Sequence, residues 1–486
     1  MKKFLALALC FVMCLGILSG CAAKEEAKET SAQTYSELEQ GSVLPDMDWG
    51  GKVLTVGETN EFGLVSAVTT EDITTIIGNS VYLRNAQIKD KYNIEVQMYA
   101  EENPSVSVTR DAMSGECNYD ILVDTVPGIK DALAQGVFID LTTVNYIDLD
   151  SKGWNAEANK DLTVRGYQYV ATGDFNLHEK MGSHVLFCNL NMLKTISNED
   201  LRQTVLDGNW TIEKMKKLVT DATVTDGSTG ETSVYGLTNH YNYAFYNFLS
   251  AAYGVTICEK DSTDTPYFSF DEASLYESTI NAIDDLLKMY ASKNTTYTAR
   301  YGSSTPSAVE LFQGSKALFM TNTIEQGLSA LKTSASFSYS VLPYPKYEAD
   351  GIAEYVSSKL YNMSTLLAIP YYAPDKDFSG FALQALNELS GNVTHAYIEE
   401  QCKLKGSEDE VDYQLMELAL VDVKYDLGVI YNWGAIHVWI FTDRYSDSSG
   451  VQSIAVSGVN NFATLWAADN KLAHSELEKF LTNFTQ

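Results

Sequence analysis

Residues 94–124, IEVQMYAEENPSVSVTRDAMSGECNYDILVD, decide the fold class because two strand patterns flank one helix pattern. Apolar residues recur at every second position from Ile94 to Met98, which is typical of a half-buried strand. A helical stretch follows from Pro104 to about residue 115. Residues 119–124 then form a short apolar run that is typical of a second strand.

The residues before this stretch continue the same alternation. Residues 52–57, KVLTVG, have a short apolar strand pattern, and residues 72–92 have the apolar spacing of a helix. Strand, helix, strand, helix and strand within about seventy residues predict a parallel α/β sheet that carries helices on its faces.

The charge balance restricts the partners of the chain. Its 486 residues include 34 Lys or Arg and 64 Asp or Glu, which gives a formal net charge of −30. Nucleic acids and anionic lipid surfaces both require a basic footprint, so the composition disfavours binding to either. The hydrophobic share of 45% predicts a folded chain, and its length exceeds what one core usually serves. We therefore expect two lobes and no nucleic-acid partner.

The N-terminus has the pattern of a secretory signal. Lys2 and Lys3 precede residues 4–18, which carry no charge. This run is shorter than the roughly 20 apolar residues that span a bilayer, and it is typical of a signal peptide. The sequence Leu18-Ser19-Gly20-Cys21 follows and resembles the lipobox of bacterial lipoproteins, in which the cysteine is acylated and becomes the new N-terminus.

The lipobox resemblance implies how the mature chain is held. Residues 1–20 are expected to be removed as a lipoprotein signal peptide, and residues 21–49 to form a lipidated cysteine with an acidic, flexible tether. Acylated Cys21 would anchor the protein to the extracellular face of the membrane of a Gram-positive-type bacterium. The alternative is an ordinary cleaved signal peptide with a cysteine near the cut.

Four cysteines remain in the folded part, and they show no CxxC pair: Cys117, Cys188, Cys258 and Cys402. Exported proteins often form disulfides, but connectivity cannot be read from spacing. The sequence leaves open whether these residues are paired or are buried thiols.

The rest of the chain continues with mixed helix and strand patterns. Strand patterns cover residues 184–190, 315–322 and 337–343, and helix patterns cover residues 210–222, 242–253, 271–292, 306–313 and 377–391. Thr211 is placed as the N-cap of the first of these helices, and Asp377 as the N-cap of the last. Residues 392–486 read as mostly helical.

An enzymatic interpretation finds little support. The nearest match to a metal-binding motif is His178-Glu179 together with His184. Its two histidines are six residues apart in the sequence, whereas the HExxH motif places its histidines one helical turn apart. No GxSxG, phosphate-loop or GxGxxG motif stands between a strand and a helix. We therefore expect no catalytic residue, no metal site and no cofactor. A two-carboxylate glycosidase stays an alternative because no spacing singles out a pair among 64 acids.

Several segments together carry a family resemblance. Residues 81–96, VYLRNAQIKDKYNIEV, look like a first helix leading into a second strand, and residues 119–124 like a third strand. Residues 310–320, ELFQGSKALFM, and residues 340–345, SVLPYP, resemble the later segments. In this order they resemble extracellular solute-binding proteins of bacterial ABC transporters, of the sugar and oligosaccharide (family 1-like) type. Residues 142–166 and the C-terminal hundred residues depart from that pattern.

The resemblance implies an α/β, two-lobed periplasmic-binding-protein-like (type II) fold with a ligand cleft between the lobes. It implies a first lobe of residues 50–170 plus 315–366 and a second lobe of residues 171–314 plus 367–486. Closure of the two lobes on the ligand would be a hinge motion.

Candidate ligand residues follow from three arguments. Asp174 and Asn176 lie where the chain is expected to cross between the lobes, and Thr321 and Asn322 where it is expected to return. Ligands of parallel sheets collect at the carboxyl ends of strands, where loops also carry polar and aromatic side chains. The chain also holds 30 tyrosines, whose rings can stack on the apolar faces of sugars. The candidates are Glu58, Asn60, Asp124, Thr125, Asp174, Asn176, Tyr241, Asn242, Thr321, Asn322, Tyr431 and Trp433. In contrast, Phe245, Phe248 and Trp439 are expected to be core.

These observations predict a lipid-anchored, non-catalytic receptor. It would capture a carbohydrate of the oligosaccharide class and deliver it to the transmembrane subunits of an ABC permease. The alternatives are a surface enzyme acting on polysaccharide, a receptor for a peptide or polyamine, and a receptor that feeds a sensor kinase.

Overall fold

The computed structural model describes residues 42–60, 73–240, 242–292, 294–299, 306–332, 335–358, 364–404, 410–421, 423–444 and 451–484. Residues Met1–Pro45 and Asp46–Gln486 are separate units, and every element below belongs to the second unit. Cys21, the predicted site of lipidation, lies outside the described residues.

The predicted alternation of strands and helices at the start of the chain is confirmed. Its elements are β1 (Lys52–Thr59), α1 (Ile76–Tyr92), β2 (Ile94–Glu101), α2 (Pro104–Ala112), β3 (Ile121–Thr125), α3 (Val126–Leu133) and α4 (Ala156–Leu162). The Thr75 side chain caps α1 by accepting a hydrogen bond from the Gly78 backbone N–H at 2.9 Å. The helix ends at Asn93, whose φ of 53° is left-handed.

The middle of the chain is also mixed. Its elements are α5 (Leu177–Met181), β4 (His184–Asn189), α6 (Leu190–Ile196), α7 (Leu201–Leu206), α8 (Ile212–Ala222), β5 (Val224–Thr225), β6 (Thr232–Asn239), α9 (Tyr243–Tyr253), β7 (Cys258–Lys260), β8 (Pro266–Phe268), α10 (Ala273–Tyr290), β9 (Thr296–Thr298), α11 (Ala308–Gln313), β10 (Ala317–Thr323), α12 (Ile324–Leu331), β11 (Tyr339–Leu342) and β12 (Ser357–Ser358). Thr211 caps α8 as predicted, because its hydroxyl accepts from the Lys214 N–H.

The end of the chain is mostly helical, as expected. Its elements are β13 (Thr365–Ala368), α13 (Lys376–Leu389), α14 (Gly391–Leu404), α15 (Glu410–Val421), β14 (Val423–Lys424), α16 (Leu427–Ile430), α17 (Ile454–Ser457) and α18 (Phe462–Leu481). The cap of α13 is Asp375, which accepts from the Phe378 N–H at 3.1 Å, so the prediction of Asp377 as the cap was wrong.

Two sheets organise the fold. The first has the order β13-β3-β1-β2, in which β1 is parallel to β2 and β3, and β13 is antiparallel to β3. The second has the order β11-β4-β10-β6-β5, with β9 beside β6. In it β10 is antiparallel to β4 and parallel to β6. Each sheet is the centre of one lobe.

The predicted lobe boundaries need correction. Residues 315–366 were assigned to the first lobe, but β10 and β11 lie in the second sheet, and only β13 joins the first. Residues 367–404 were assigned to the second lobe, yet α13 and α14 pack against α1. Arg84 of α1 donates to the Ser390 hydroxyl at 3.2 Å, and the Ile77 N–H donates to Glu400 at 3.0 Å. The physical reason is that the pairing of these strands is non-local, so their apolar pattern is the same in either sheet.

Two of the segments that connect the sheets belong to the part of the chain that the structure describes. In the described ranges, the first passage is residues 169–183 and the second passage includes residues 343–358. Strand β12 of the second passage pairs in parallel with β14, which follows α15. The Ser340 hydroxyl of β11 donates to Asp412 of α15 at 2.6 Å, which places α15 on the second sheet. The passages and their flanking helices form the junction of the lobes.

Two of the three aromatic residues that were expected in the core do lie there. Phe245 and Phe248 are fully buried as expected, whereas Trp439 is 38% exposed, so its assignment to the core was wrong. The Arg444 guanidinium lies 5.1 Å above the Trp439 ring. The four cysteines of the folded part are buried free thiols. None of the helices in the described ranges has the length and apolar character needed to cross a membrane.

Candidate functional site

The carboxyl end of β1 carries a buried charged cluster. Oε1 of Glu58 lies 3.5 Å from Nε2 of His178 on α5, and both side chains are 2% exposed. Arg84 of α1 is buried beside them, and burial lowers its pKa to about 9, although Glu58 acts in the opposite direction. Asn60 is exposed, and its backbone N–H donates to the Glu101 carbonyl at 2.9 Å. Of the two candidates at this strand end, only Asn60 therefore faces solvent.

A groove of about 560 Å³ lies beside the carboxyl ends of β2 and β3. It runs between α2 and α3, and we call it the strand-end groove. Its wall includes Asn103, Ser105, Arg110, Thr125, Gly128 and Asp131. Thr125 was predicted from the sequence, and the other five were missed because they follow β2 or lie inside helices.

The Asp124 carboxylate binds backbone N–H groups in the wall of the strand-end groove. This buried carboxylate accepts from the Ser105 N–H at 2.9 Å and from the Thr125 N–H at 2.7 Å. The Thr125 hydroxyl accepts from the Gly128 N–H at 3.4 Å and so caps α3. The hydroxyl of Ser105 is buried and has no hydrogen-bond partner among the described residues. The groove therefore presents a polar group whose hydrogen-bonding capacity the protein itself does not use.

The starts of α2 and α3 lie beside the groove. The N-cap of α2, Asn103, makes no side-chain capping bond to the helix. The first N–H groups of a helix lack intrahelical partners and carry partial positive charge. In α2 and α3 the protein itself bonds these groups: the Val106 N–H donates to the Asn103 carbonyl at 3.1 Å, and the Val126 N–H donates to the Ser364 carbonyl at 2.9 Å. The Ser105 hydroxyl is therefore the group of this wall that a ligand could engage.

The second sheet contributes a buried polar cluster at the ends of β6 and β10. The Thr321 hydroxyl donates to Oδ1 of Asn239 at 3.1 Å, and Nδ2 of Asn239 donates to the Thr298 hydroxyl at 3.1 Å. Oδ1 of Asn322 accepts from the Thr323 N–H at 2.8 Å. The structure thus brings the candidates Thr321 and Asn322 together with Asn239, which the sequence analysis missed.

The start of α9 carries a second group of polar and aromatic side chains. Nδ2 of buried Asn242 lies 3.4 Å from Oδ1 of Asp443. The Tyr243 ring stacks on the His437 ring with centroids 6.2 Å apart and planes at 13°. Both ring nitrogens of His437 are buried without a hydrogen-bond partner among the described residues, and burial lowers its pKa to about 3. Tyr241, the neighbouring candidate, lies outside the described residues.

Tyr431 and Trp433 are core residues, contrary to their assignment to the cleft. Their rings stack at 5.3 Å, and Tyr431 packs 4.3 Å from Phe480 of α18. Exposure is 1% for Tyr431 and 2% for Trp433. The turn indicated by the neighbouring Asn and Gly does exist, since φ is 44° at Asn432 and 61° at Gly434. It directs the two rings into the core.

The first passage holds the last two candidates. Nδ2 of buried Asn176 donates to the Thr365 carbonyl at 2.8 Å, and its Oδ1 accepts from the Thr365 hydroxyl at 2.6 Å. These two hydrogen bonds therefore connect the first passage to β13. Asp174 instead lines a cavity of about 700 Å³ at the junction of the lobes, which we call the junction pocket.

The histidines do not form a metal centre in the described ranges, where no group of three or more His, Cys, Asp or Glu side chains is placed to hold an ion. Nδ1 of His184 lies 2.7 Å from the Tyr344 hydroxyl, and burial lowers the His184 pKa to about 3. The buried ring is therefore held neutral by its surroundings.

No protein-family model matches the sequence, and no curated protein matches it significantly. Solved structures do match over most of the chain. A cyclo/maltodextrin-binding protein complexed with maltotetraose has 15% identity over 89% of this chain and 98% of its own, with a TM-score of 0.52. The maltose-binding periplasmic protein MalE of Listeria monocytogenes, in complex with maltose, has 13% identity over 90% and 99%, with a TM-score of 0.53. UspC of M. tuberculosis has 12% identity over 87% and 99%, also with a TM-score of 0.53.

These matches define the class of fold. The chain has the two-lobed α/β fold of the periplasmic-binding-protein type, as predicted. The chain therefore shares its fold with maltodextrin-binding and maltose-binding proteins, as the resemblance implies.

Proposed function

We propose that this protein is an extracellular solute-binding receptor that captures a carbohydrate between its lobes and delivers it to the permease of an ABC transporter. The observation that carries the proposal is the strand-end groove, whose lining within residues 103–135 would supply the first lobe's side of the site. There the Ser105 hydroxyl has no hydrogen-bond partner among the described residues, beside the first turns of two helices. Sugar hydroxyls both donate and accept hydrogen bonds, so they match such a mixed wall.

The fold supports the same proposal. The matched structures include proteins whose ligands are maltotetraose and maltose, and they are binding proteins. The half-buried Tyr243 ring lies at the start of α9, shortly after the end of β6, and its other face stacks on the buried His437 ring. Flat rings at a strand end provide a surface on which a sugar ring stacks. The protein acts by binding and release, without catalysis.

Membrane attachment rests on the sequence alone. The lipobox-like Leu18-Ser19-Gly20-Cys21 supports acylation of Cys21, and the acidic residues that follow support a solvated tether to the outer face of the membrane. Cells that express the full chain should incorporate a radiolabelled fatty acid into it. Loss of the label in Cys21→Ser would support the anchor, whereas equal labelling of both chains would contradict it.

Thermal unfolding of residues 22–486 against a panel of maltodextrins and other oligosaccharides tests the ligand. Binding to the native state alone stabilises it by RT ln(1 + [L]/Kd), about 2.7 kcal/mol at a hundredfold excess over Kd. A rise in Tm with one sugar, without hydrolysis of that sugar, is the expected result. If no sugar raises Tm while a peptide or polyamine does, the carbohydrate proposal is wrong.

A further inference from the structure

The junction pocket is separate from the strand ends that form the proposed sugar site. Its described lining comes from the first passage, from α4, α14 and α15, and from the ends of β12 and β14. Both lobes therefore supply walls. Glu58, Thr125, Asn239 and Thr321, which mark the strand ends, are not part of that lining.

One carboxylate in the junction pocket is not satisfied by the protein. Asp174 is largely buried, and its side chain accepts no hydrogen bond and forms no ion pair within 4.0 Å among the described residues. Burial raises its pKa, while the more distant Lys180 acts against that rise. The Lys180 ammonium lies 3.2 Å from Oε2 of Glu179 instead.

A neighbouring network explains why Asp174 has no partner. The Tyr425 hydroxyl donates to Oε1 of Glu179 at 3.3 Å, and the Tyr425 N–H donates to Asp161 at 3.0 Å. Glu179 and Asp161 are thus engaged by groups of the protein. The Thr394 hydroxyl of α14, which also belongs to the lining, has no hydrogen-bond partner among the described residues. Two polar groups on different elements of the pocket are available to a ligand.

The charge of the lining indicates the class of ligand. Its described residues include four carboxylates, Glu157, Asp161, Asp174 and Glu417, against two lysines, Lys180 and Lys424. Lys180 is paired with Glu179 at 3.2 Å and Glu157 with Lys160 at 2.7 Å, so the remaining lining has three carboxylates against Lys424 and an excess of negative charge. Trp154 and Tyr413 add aromatic surface, on which an organic cation packs favourably.

We propose that the junction pocket is a second ligand site, which binds a small organic amine through the Asp174 carboxylate. An ammonium group supplies the counter-charge and the hydrogen-bond donors that Asp174 lacks, and a largely buried carboxylate is stabilised strongly by such a partner. The Thr394 hydroxyl can accept a hydrogen bond from a further N–H group of the same ligand. The cavity of about 700 Å³ has room for an amine of several carbons. This inference does not depend on the identity of the ligand at the strand ends.

Isothermal titration of residues 22–486 with spermidine at low ionic strength tests the proposal. Wild type should bind, and Asp174→Asn should weaken binding by about tenfold or more, because it removes the charge and keeps the shape. The exposed carboxylate of Asp90 on α1 offers a matched control, and Asp90→Asn should bind as wild type does. Asn60→Ala, at the strand ends, should also leave spermidine binding unchanged.

Three results would overturn the second site. These are no binding of spermidine to wild type up to about 10 mM, equal binding in Asp174→Asn, and loss of binding in Asn60→Ala with retention in Asp174→Asn. The last result would identify the amine as cargo of the strand ends. If Asp174→Asn does not fold by circular dichroism, Thr394→Tyr replaces it, since a phenol on α14 fills the pocket and should abolish binding.

Discussion

Glu58 and His178 join the first sheet to the junction of the lobes, with 3.5 Å between Oε1 and Nε2. Glu58 lies at the carboxyl end of β1, and His178 lies on α5 in the first passage. Since Arg84 is buried in the same cluster, a charged group on α1 also depends on Glu58. The cluster therefore fixes the first passage against the strand from which the first candidate ligand residues project.

The variant Glu58→Gln should be strongly destabilised. Removing one member of a buried charged cluster leaves the Arg84 guanidinium without its carboxylate, which typically costs about 3–5 kcal/mol. Urea unfolding, extrapolated linearly, measures the change in the free energy of unfolding. The control is Glu95→Gln, which breaks the exposed pair of Lys89 and Glu95 at 2.8 Å and should leave the midpoint unchanged. Equal effects of the two substitutions would contradict the role of the buried cluster.

The variant Ser105→Ala separates binding from stability. The Ser105 hydroxyl is buried without a partner among the described residues, so its removal should leave the free energy of unfolding unchanged or raise it by up to about 1 kcal/mol. If the hydroxyl bonds to the ligand in the strand-end groove, the same change should weaken sugar binding by about fivefold to tenfold. A loss of stability together with unchanged affinity would show that the hydroxyl has a structural partner instead.

The ion pair of His474 and Asp271 predicts a pH dependence. Nε2 of His474 lies 2.9 Å from Oδ2 of Asp271, and this pair connects α18 to residues 269–271. Burial lowers the pKa of His474, but hydrogen bonds to Asp271 and to the Asn470 carbonyl outweigh it, so that the net pKa is raised above 6.5. A raised pKa in the folded state stabilises the fold fully below 6.5, and this stabilisation is lost as pH rises through the folded pKa.

The comparison of wild type with His474→Gln measures this effect. The difference in their free energies of unfolding should be larger near pH 5 than near pH 9. The variant Asp271→Asn completes a double-mutant cycle, and the coupling energy should decrease in the same direction. A coupling that grows with pH would contradict the assignment of the proton to this pair.

Gly327 tests the packing of α12 on the second sheet. A Cβ atom at this position would lie 2.2 Å from Cζ of Phe187 on β4, whose ring is fully buried. Gly327→Ala should therefore cost about 1–3 kcal/mol through overpacking. At Gly227 an added Cβ meets nothing within 4 Å, so Gly227→Ala is the matched control and should be close to neutral. Adding Phe187→Leu to Gly327→Ala should recover part of the lost free energy of unfolding if the clash with the ring is its cause.

The local structure was largely predictable from the sequence, because periodicity and capping act over a few residues. The spacing of residues 94–124 gave the strand, helix and strand that the structure contains. Thr211 was recognised as a cap because its side chain bonds to an N–H three residues away. The order of strands was not predictable in the same way. Strand β10 lies between β4 and β6, and its fully buried pattern fits either sheet equally well.

The candidate site was predictable only where strand ends determine it. Thr125 follows from the rule that ligands collect at carboxyl ends of strands, and the structure places it there. Thr321 and Asn322 were predicted where the chain was expected to return between the lobes, but they lie near the end of β10 within the second sheet. Tyr431 and Trp433 were misassigned because a local Asn and Gly indicate a turn but do not say which way the rings point. The junction pocket was also missed, since it is assembled from segments that are distant along the chain.

The division of the first sheet has a consequence for biosynthesis. All the strands of the second sheet lie within residues 184–342, whereas β3 pairs with β13 at residues 365–368. During synthesis the N-terminal part of the chain is made first. All the strands of the second sheet are therefore present while the edge of β3 that pairs with β13 is still unpaired. Open strand edges invite wrong pairing, and domains that are completed late are the ones most exposed to it. The edge of β3 is thus covered only after β13 has been made. A nascent chain that stalls after residue 342 would therefore be prone to aggregate through its first lobe.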